Sequence, residues 1–414
     1  MKKAIIEKRN DPRELEKLYR SNKTAFKEAF ISVYPQIKES PLAACWNERL
    51  NYSPEGFDWA TRKDLIFLFI ISAVAGFIAK LPAILQIEED YFYARNIGFI
   101  IFPALTAYFI RKNQLPTGKI SPLALGIILG LVFINLFPDL PDSDTLLLSS
   151  LHLLLFLWVL LGWTFIGGRI NQPVKWLDYL KYNGDTIIMT ALILATGGLL
   201  TALTIGLFAT IGIQIETFYF NYIGIFGLCA APIAGTYLTQ TNPQLVGKVS
   251  PLIARIFSPL VLLMLLVYLL AMIYSGKDPY NDREFLLVFN GLLIGVMAII
   301  FFSISEIAAS TKHKREIWVL LILSLLTLIV NGIALSAILF RISEWGITPN
   351  RAAVLGGNVL ILIHLLMVTF HLYRVIGRQG KIAQVAKTIG IYMPVYFSWS
   401  IIVTFFFPWL FGFG

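Results

Sequence analysis

Residues 317–340 read IWVLLILSLLTLIVNGIALSAILF, a run of 24 positions without a single Asp, Glu, Lys or Arg. A helix needs about 20 mostly apolar residues to cross the hydrocarbon core of a bilayer. The rest of the 414-residue chain has the same character, since 57% of its residues are hydrophobic and only 14% are charged. Ordinary soluble domains have about 45–50% apolar and about 25% charged residues. This composition excludes a disordered chain and argues against a set of soluble domains.

Ten further apolar stretches accompany this run, and short polar segments separate them. The hydrocarbon core contains no water, so stretches of this length satisfy their backbone groups only as helices. A membrane β-barrel would instead show strands of about ten residues with alternating polarity. The sequence therefore predicts an all-α fold, a polytopic bundle of eleven transmembrane helices. Their approximate bounds are 65–85, 91–110, 122–137, 145–165, 186–211, 219–238, 256–274, 285–305, 317–340, 352–372 and 389–410.

Lysine and arginine indicate the orientation of the bundle, because cytoplasmic loops of membrane proteins are enriched in both. The first 63 residues contain 13 of the 34 basic side chains. If that segment is cytoplasmic, 28 basic residues lie on the cytoplasmic side and six on the opposite side. This distribution predicts a cytoplasmic N-terminus and a periplasmic or extracellular C-terminus.

Residues 1–60 form a predicted cytoplasmic helical domain ahead of the bundle at residues 61–414. The pairs Asp11-Pro12 and Ser40-Pro41 each place a capping side chain before a proline, as at a helix N-terminus. Three short apolar faces follow the helical period: Leu15, Leu18 and Tyr19; Phe26, Phe30, Val33 and Tyr34; Leu42, Cys45 and Trp46. Three helices of this size bury little core by themselves.

Two roles are open for this N-terminal segment. It is either a cap that packs on the inner membrane surface or a docking module for a cytoplasmic protein partner, and a basic face could bind anionic lipid heads in both cases. The basic residues lie in short gaps between apolar runs, which argues against nucleic acid as a partner. The lipid bilayer is the expected partner of the remaining chain, and the sequence leaves a homo-oligomer open.

Motifs of soluble enzymes are absent from the sequence, which contains no P-loop, no G-x-S-x-G and no H-E-x-x-H. The two cysteines, Cys45 and Cys229, cannot form a disulfide framework and have no metal-type spacing. The sequence therefore predicts no catalytic residue, no metal and no cofactor, and it favours a protein that is not an enzyme.

Polar side chains inside the predicted spans form a first candidate site, because their burial in lipid is costly and often marks function. His364 and His371 lie seven residues apart on one helical stripe, at about 10 Å, too far to share one metal ion. Interhelical hydrogen bonds or proton relays both fit them, and the same alternatives hold for His152. Glu306 either reaches the interface or faces the bundle as a coupling carboxylate. Asn290 is a buried amide of the eighth span.

Charged side chains of the outer loops form a second candidate site. Topology disfavours basic residues there, so those that occur suggest ion pairing or anion recognition. Salt bridges that fix the loops and an anion site open to the outside are the two alternatives. The candidate residues are Arg95, Asp278, Asp282, Arg283, Glu344 and Arg351.

Four stretches of the sequence carry a resemblance to a known family: Leu15–Leu50, Ser275–Asn290, Trp345–Arg351 and Tyr392–Phe413. They resemble a family of uncharacterised bacterial multi-pass membrane proteins, one of the domain-of-unknown-function families. The resemblance implies a bacterial inner-membrane protein. It implies no substrate, cofactor or catalytic residue.

Three functions are compatible with these features. A transporter or permease-like protein is favoured by the many spans, the glycine-rich packing and the mid-membrane polar groups, although no inverted repeat is evident. A structural, sensory or assembly component would connect the outer loops with the N-terminal segment and a docked partner. A membrane-embedded enzyme would hold an anionic, lipid-linked substrate with Arg95, Arg283 and Arg351.

The orientation yields a direct test. Alkaline phosphatase fused after Gly414 is expected to be active, because the enzyme matures only outside the cytoplasm, whereas a fusion after Gly380, in a predicted cytoplasmic loop, is expected to be inactive. An inactive phosphatase after Gly414, together with an active cytosolic reporter fused at the same position, would contradict the predicted orientation.

Overall fold

The structure, a computed structural model, describes residues 1–51, 60–140, 143–210, 213–247, 249–275, 280, 283–308 and 314–414. All regular elements in these residues are helical. The chain divides into two compact units, Met1–Ala60 and Thr61–Gly414. This division coincides with the boundary that the sequence predicts.

Residues 1–51 of the N-terminal unit contain four helices, one more than the sequence predicts: α1 Lys2–Glu7, α2 Pro12–Ser21, α3 Lys23–Ile37 and α4 Pro41–Asn51. Asp11 caps α2, because its carboxylate accepts hydrogen bonds from the backbone N–H groups of Arg13 and Glu14. The core of this unit is built around four large side chains: Leu15, Phe26, Phe30 and Trp46. The short helices therefore share one apolar core.

One residue of a predicted apolar face in the N-terminal unit is placed wrongly. Cys45 is exposed, although the sequence analysis placed it on the apolar face of α4. The helix instead turns Ala43, Trp46 and Leu50 inward, three positions separated by three and four residues, as one helical face requires.

Ion pairs connect side chains on the surface of the N-terminal unit. Glu14 lies 2.6 Å from the ammonium groups of both Lys17 and Lys8. These two hydrogen-bonded cations lower the pKa of Glu14 to about 2, with Lys17 as the larger cause. Glu16 of α2 binds Arg49 of α4 at 2.8 Å, which connects the second and fourth helices.

Among its described residues, the second unit contains eleven helices that are long and apolar enough to cross a membrane, which confirms the predicted number. They are α5 Arg62–Leu85, α6 Glu89–Lys112, α7 Thr117–Asn135, α8 Asp144–Phe165, α9 Pro173–Thr210, α10 Glu216–Thr241, α11 Val249–Ser275, α12 Arg283–Ala308, α13 Lys314–Trp345, α14 Pro349–Ile376 and α15 Ile382–Leu410. The protein is therefore an all-α, multi-pass membrane protein.

Helix α9 is longer than predicted. The sequence analysis began this span at Thr186, whereas the helix begins at Pro173. Four charged residues in the added segment lower its hydropathy and hide it from a search for apolar runs: Lys175, Asp178, Lys181 and Asp185. Trp176, Tyr179 and Tyr182 nevertheless recur at helical spacing and are buried. Packing of this aromatic face explains why the helix continues through the charged segment.

The two largest apolar clusters of the second unit lie in different halves of the bundle. The first joins α5, α6, α8 and α10 with Trp176 and Tyr179 of α9. The second joins α11, α12, α13 and α14 with Leu177 of α9. Helix α15 contributes Met393 to the first cluster and Ile389 to the second. Helices α9 and α15 therefore connect the two halves of the bundle.

The close approach of α9 and α15 depends on a glycine. A Cβ atom at Gly390 of α15 would overlap the backbone carbonyl oxygen of Pro173 at the start of α9. Because the obstacle is backbone, no side-chain rotation relieves it. Small residues permit such close helix approach inside membranes.

We expect Gly390→Ala to destabilise the protein by about 1–3 kcal/mol, because overpacking forces the two backbones apart. Thermal unfolding of the purified protein in detergent, followed by tryptophan fluorescence, measures the loss. Gly357→Ala on α14 is the matched control, since no atom lies within 4 Å of the added Cβ there and alanine favours a helix. Equal stability of the two variants would contradict the proposed role of Gly390.

Candidate functional site

A cavity of about 520 Å³ lies among helices α9, α11, α12 and α13. It is located at the end of the bundle where α11 and α13 begin and α12 ends. Five charged side chains line it: Lys181, Arg255, Glu306, Arg315 and Glu316. Charged groups inside a transmembrane bundle are rare and often functional, so this cavity is the candidate site.

A buried ion pair forms one wall of the cavity. The ammonium group of Lys181 on α9 lies 2.8 Å from a carboxylate oxygen of Glu306 on α12. The Glu306 side chain is 3% exposed and the Lys181 side chain is 31% exposed. The carboxylate is therefore enclosed in protein, while the ammonium group also reaches a more open region. Of the two alternatives for Glu306, the structure selects the bundle interior over the interface.

Two arginines and a second glutamate, on α11 and α13, complete the charged lining of the cavity. Arg255 of α11 binds Glu316 of α13 at 2.9 Å, with side chains that are 52% and 26% exposed. Arg315 lies next to Glu316 in α13 and is exposed. Within the described part of the chain, Arg315 forms neither a hydrogen bond nor an ion pair. Its guanidinium group is thus available to a ligand.

Serine hydroxyls form further polar contacts between α11 and its neighbours. Ser258 of α11 and Ser303 of α12 both line the cavity, and their hydroxyl oxygens lie 2.7 Å apart. Ser250, one residue after the start of α11, donates to the carboxylate of Asp185 on α9. Ser250 and Ser258 are eight residues apart, a spacing that places both near one side of the helix.

The remaining walls of the cavity are largely apolar, and they include Ile307, Val319 and Leu320. Charged and apolar groups therefore face the same space, which suits a molecule that has both a charged and an apolar part. The hydroxyl groups of Ser258 and Ser303 contact each other rather than a histidine or a carboxylate. This arrangement does not provide the activated nucleophile that covalent catalysis requires.

His364 lies deeper in the same half of the bundle, outside the cavity lining. It is fully buried, and its Nδ1 atom lies 2.9 Å from the hydroxyl of Tyr396 on α15. Its ring stacks on Tyr392, with ring centroids 4.4 Å apart, and it contacts Phe301 of α12, with ring centroids 4.7 Å apart. Its Nε2 atom contacts no hydrogen-bonding group in the described part of the chain. This contact agrees with an interhelical hydrogen bond, one of the two roles that the sequence leaves open for His364.

The other intramembrane candidates are scattered. His152 bonds to the backbone carbonyl of Leu148 in its own helix at 2.9 Å. His371 lies beside Phe370 on α14 and does not join His364 in a pair. Asn290 is half-buried on α12, sixteen residues from Glu306. Of the five predicted residues, only Glu306 lines the cavity.

The outer-face candidates do not form one site among the described residues. Arg95 is 4% exposed and binds Asp139 at 2.7 Å, with its guanidinium carbon 3.8 Å from the Tyr91 ring centroid. Arg351 donates to the carbonyl oxygens of Trp345 and Gly346. Both arginines thus hold local structure, in agreement with the salt-bridge and loop alternative.

The structure describes the other members of the outer-face set only in part. Glu344 is exposed near the end of α13. Asp278 and Asp282 lie outside the described residues, and of Arg283 only the helical backbone at the start of α12 is described. Among the described residues, no group of three His, Cys, Asp or Glu side chains could hold a metal ion.

The sequence analysis missed most of the cavity. Lys181 was assigned to a loop because the fifth span was begun too late, and Arg255 and Arg315 were counted only as topology signals. One signal was available: α11 contains two Ser-Pro pairs, at Ser250 and Ser258. Polar residues repeated at helical spacing beside prolines inside an apolar run indicate a face that meets other polar groups.

Comparisons with protein-family models, with curated proteins and with solved structures found no match to this chain. The resemblance to a bacterial membrane-protein family therefore stays a prediction.

The Lys181–Glu306 pair allows an asymmetric test. Lys181→Met leaves an enclosed carboxylate without its cation and is expected to cost about 3 kcal/mol of unfolding free energy. Glu306→Gln leaves an ammonium group that reaches a more open region and is expected to cost less. The double variant is expected to recover most of the loss. Chemical denaturation in detergent micelles gives the four values.

The exposed pair Arg111–Asp64, with side chains 43% and 35% exposed, supplies the control. Arg111→Met is expected to change stability by less than about 1 kcal/mol. If Lys181→Met costs no more than this control, the pair does not stabilise the bundle.

Proposed function

We propose that this protein is a transporter or permease-like membrane protein whose charged solute occupies the cavity among α9, α11, α12 and α13. The observation that carries the proposal is the Lys181–Glu306 ion pair in the cavity wall. Ionisable groups inside transmembrane helices generally pair with one another and mark substrate or ion pathways. The cavity of about 520 Å³ falls within the range of about 300–1,000 Å³ of small-molecule sites.

The depth of the cavity supports a path for solute. Ser258 lies nine residues after the start of α11, which corresponds to about 13 Å along the helix axis, against a hydrocarbon core of about 30 Å. Phe301 and His364 lie beyond, in contact with each other, and the cavity does not reach His364. A cavity that lies among the helix ends and stops short of His364 is compatible with alternating access.

The distribution of lysine and arginine supports a cytoplasmic mouth for this cavity. Arg255 and Arg315 lie at the helix ends that the basic residues assign to the cytoplasm. The resemblance to bacterial multi-pass proteins favours the bacterial inner membrane. On this proposal the solute enters from, or leaves to, the cytoplasm.

The N-terminal unit supports a second candidate function. Residues 1–60 form a compact unit with an apolar core of their own, as a docking module for a protein partner would have. The third candidate, an enzyme acting on a lipid-linked anionic substrate, has less support because Arg95 and Arg351 bind local partners.

Uptake into proteoliposomes tests the transport proposal. The reconstituted protein is offered radiolabelled acetate, benzoate, phosphate, glutamate, lysine and choline, and uptake of at least one of them above that of empty liposomes is expected. Ala254→Phe, which places a phenyl ring in the cavity lining, is expected to reduce that uptake at least tenfold.

Leu252→Phe is the matched control, because Leu252 lies two residues away on α11 and is 55% exposed. It is expected to retain wild-type uptake. Deletion of residues 1–60 distinguishes the second candidate, since a transport path within the bundle should survive it. Absence of uptake for all six solutes, or equal uptake by Ala254→Phe and wild type, would overturn the transport proposal.

A further inference from the structure

The charges that line the cavity do not balance. Glu306 is neutralised by Lys181 and Glu316 by Arg255. Arg315 remains as a fifth charged residue that forms no ion pair in the described part of the chain. The five charged side chains of the lining therefore sum to one positive charge, carried by Arg315, and a ligand of opposite charge would neutralise it.

The exposed fractions of the side chains also favour a negatively charged ligand. Both carboxylates are the more enclosed members of their pairs: Glu306 is 3% exposed against 31% for Lys181, and Glu316 is 26% exposed against 52% for Arg255. A molecule in the cavity therefore meets cationic groups more readily than anionic ones. Guanidinium groups are also well suited to carboxylate and phosphate oxygens, because they donate two parallel hydrogen bonds.

A cation fits this lining poorly. To bind Glu306, a cationic ligand would have to displace Lys181 from an enclosed ion pair, and breaking such a pair is costly. To bind Glu316, it would have to displace Arg255 beside Arg315. An anion needs to displace neither carboxylate, because Arg315 offers its donors directly.

The apolar walls add a second requirement. Ile307, Val319 and Leu320 face the same space as the cations. A small hydrated anion would leave these walls without contacts, whereas a molecule with an apolar body would cover them and expel water. The volume of the cavity accommodates such a body.

We propose that the cavity binds an organic anion, with a carboxylate or phosphate head on Arg315, close to Arg255 and Lys181, and an apolar body against Ile307, Val319 and Leu320. This inference rests on the proposed function in so far as it names the class of solute for the same cavity. The anion is either a soluble metabolite-sized acid or the head group of an anionic lipid, since both present the same chemistry.

Three isosteric probes of different charge test the proposal: benzoate, benzamide and benzamidine. The full-length protein in phosphatidylcholine nanodiscs is titrated with each, with empty nanodiscs subtracted, by isothermal titration calorimetry. Benzoate is expected to bind at least tenfold more tightly than neutral benzamide, and cationic benzamidine is expected to bind most weakly. Inorganic phosphate, which lacks an apolar body, is expected to bind more weakly than benzoate.

A variant locates the head group. Arg315→Gln is expected to lower benzoate affinity at least tenfold, as loss of a charge-assisted hydrogen bond would. Lys175→Gln is the matched control: it removes one positive charge from an exposed position near the start of α9 that does not line the cavity. It is expected to change the affinity less than twofold.

The source of the anion is tested in nanodiscs that contain phosphatidylglycerol. Weaker benzoate binding there than in phosphatidylcholine supports the site and identifies a lipid head group as the occupant. Unchanged binding supports the site and identifies a soluble acid.

The outcomes separate this inference from the proposed function. Equal affinity for benzoate and benzamide, preference for benzamidine, or an unaffected Arg315→Gln variant would overturn the anion site even if transport of another solute is observed. Benzoate binding that depends on Arg315, without uptake of any solute, would retain the anion site and overturn transport.

Discussion

A carboxylate remains charged inside an apolar helix bundle only when a cation lies against it, and Lys181 meets this condition for Glu306. The pair connects α9 to α12 and forms a polar wall of the cavity near the end of α12. The neighbouring polar contacts follow from the same approach of helices: Ser258 reaches Ser303, and Ser250 reaches Asp185 on α9. The cavity exists because these polar contacts hold its helices together without filling the space between them.

Helix α9 makes this arrangement possible because it combines two kinds of surface. Its first half turns Trp176, Tyr179 and Tyr182 into the first apolar cluster, while Lys181 faces the cavity on the other side. Helix α15 packs against α9, and the missing side chain of Gly390 lets the backbones of these two helices approach each other. The two halves of the bundle thus meet on α9 and α15, and the cavity lies in the second half.

The charged residues of the two ends of the bundle behave differently, and this difference guides the functional argument. At the end where α6 and α14 begin, Arg95 and Arg351 are occupied by Asp139 and by backbone carbonyl groups, so they stabilise local structure. At the other end, Arg315 has no such partner among the described residues and faces a cavity. A site for a ligand is expected where a charge is present without a structural use.

Composition and periodicity determined the class of this protein: eleven apolar helices, a separate helical segment before them, and the position of Glu306 near the end of the eighth span. These properties are sums over neighbouring residues, and a membrane makes them decisive because it admits few alternatives to a helix. The partners of individual side chains were decided only by the tertiary structure. Lys181 and Glu306 belong to different helices, and no local property of the chain indicates which faces of those helices meet. For the same reason the sequence placed Lys181 in a loop, grouped His364 with His371, and treated the outer arginines as one set, whereas packing assigned each of them to a different neighbour.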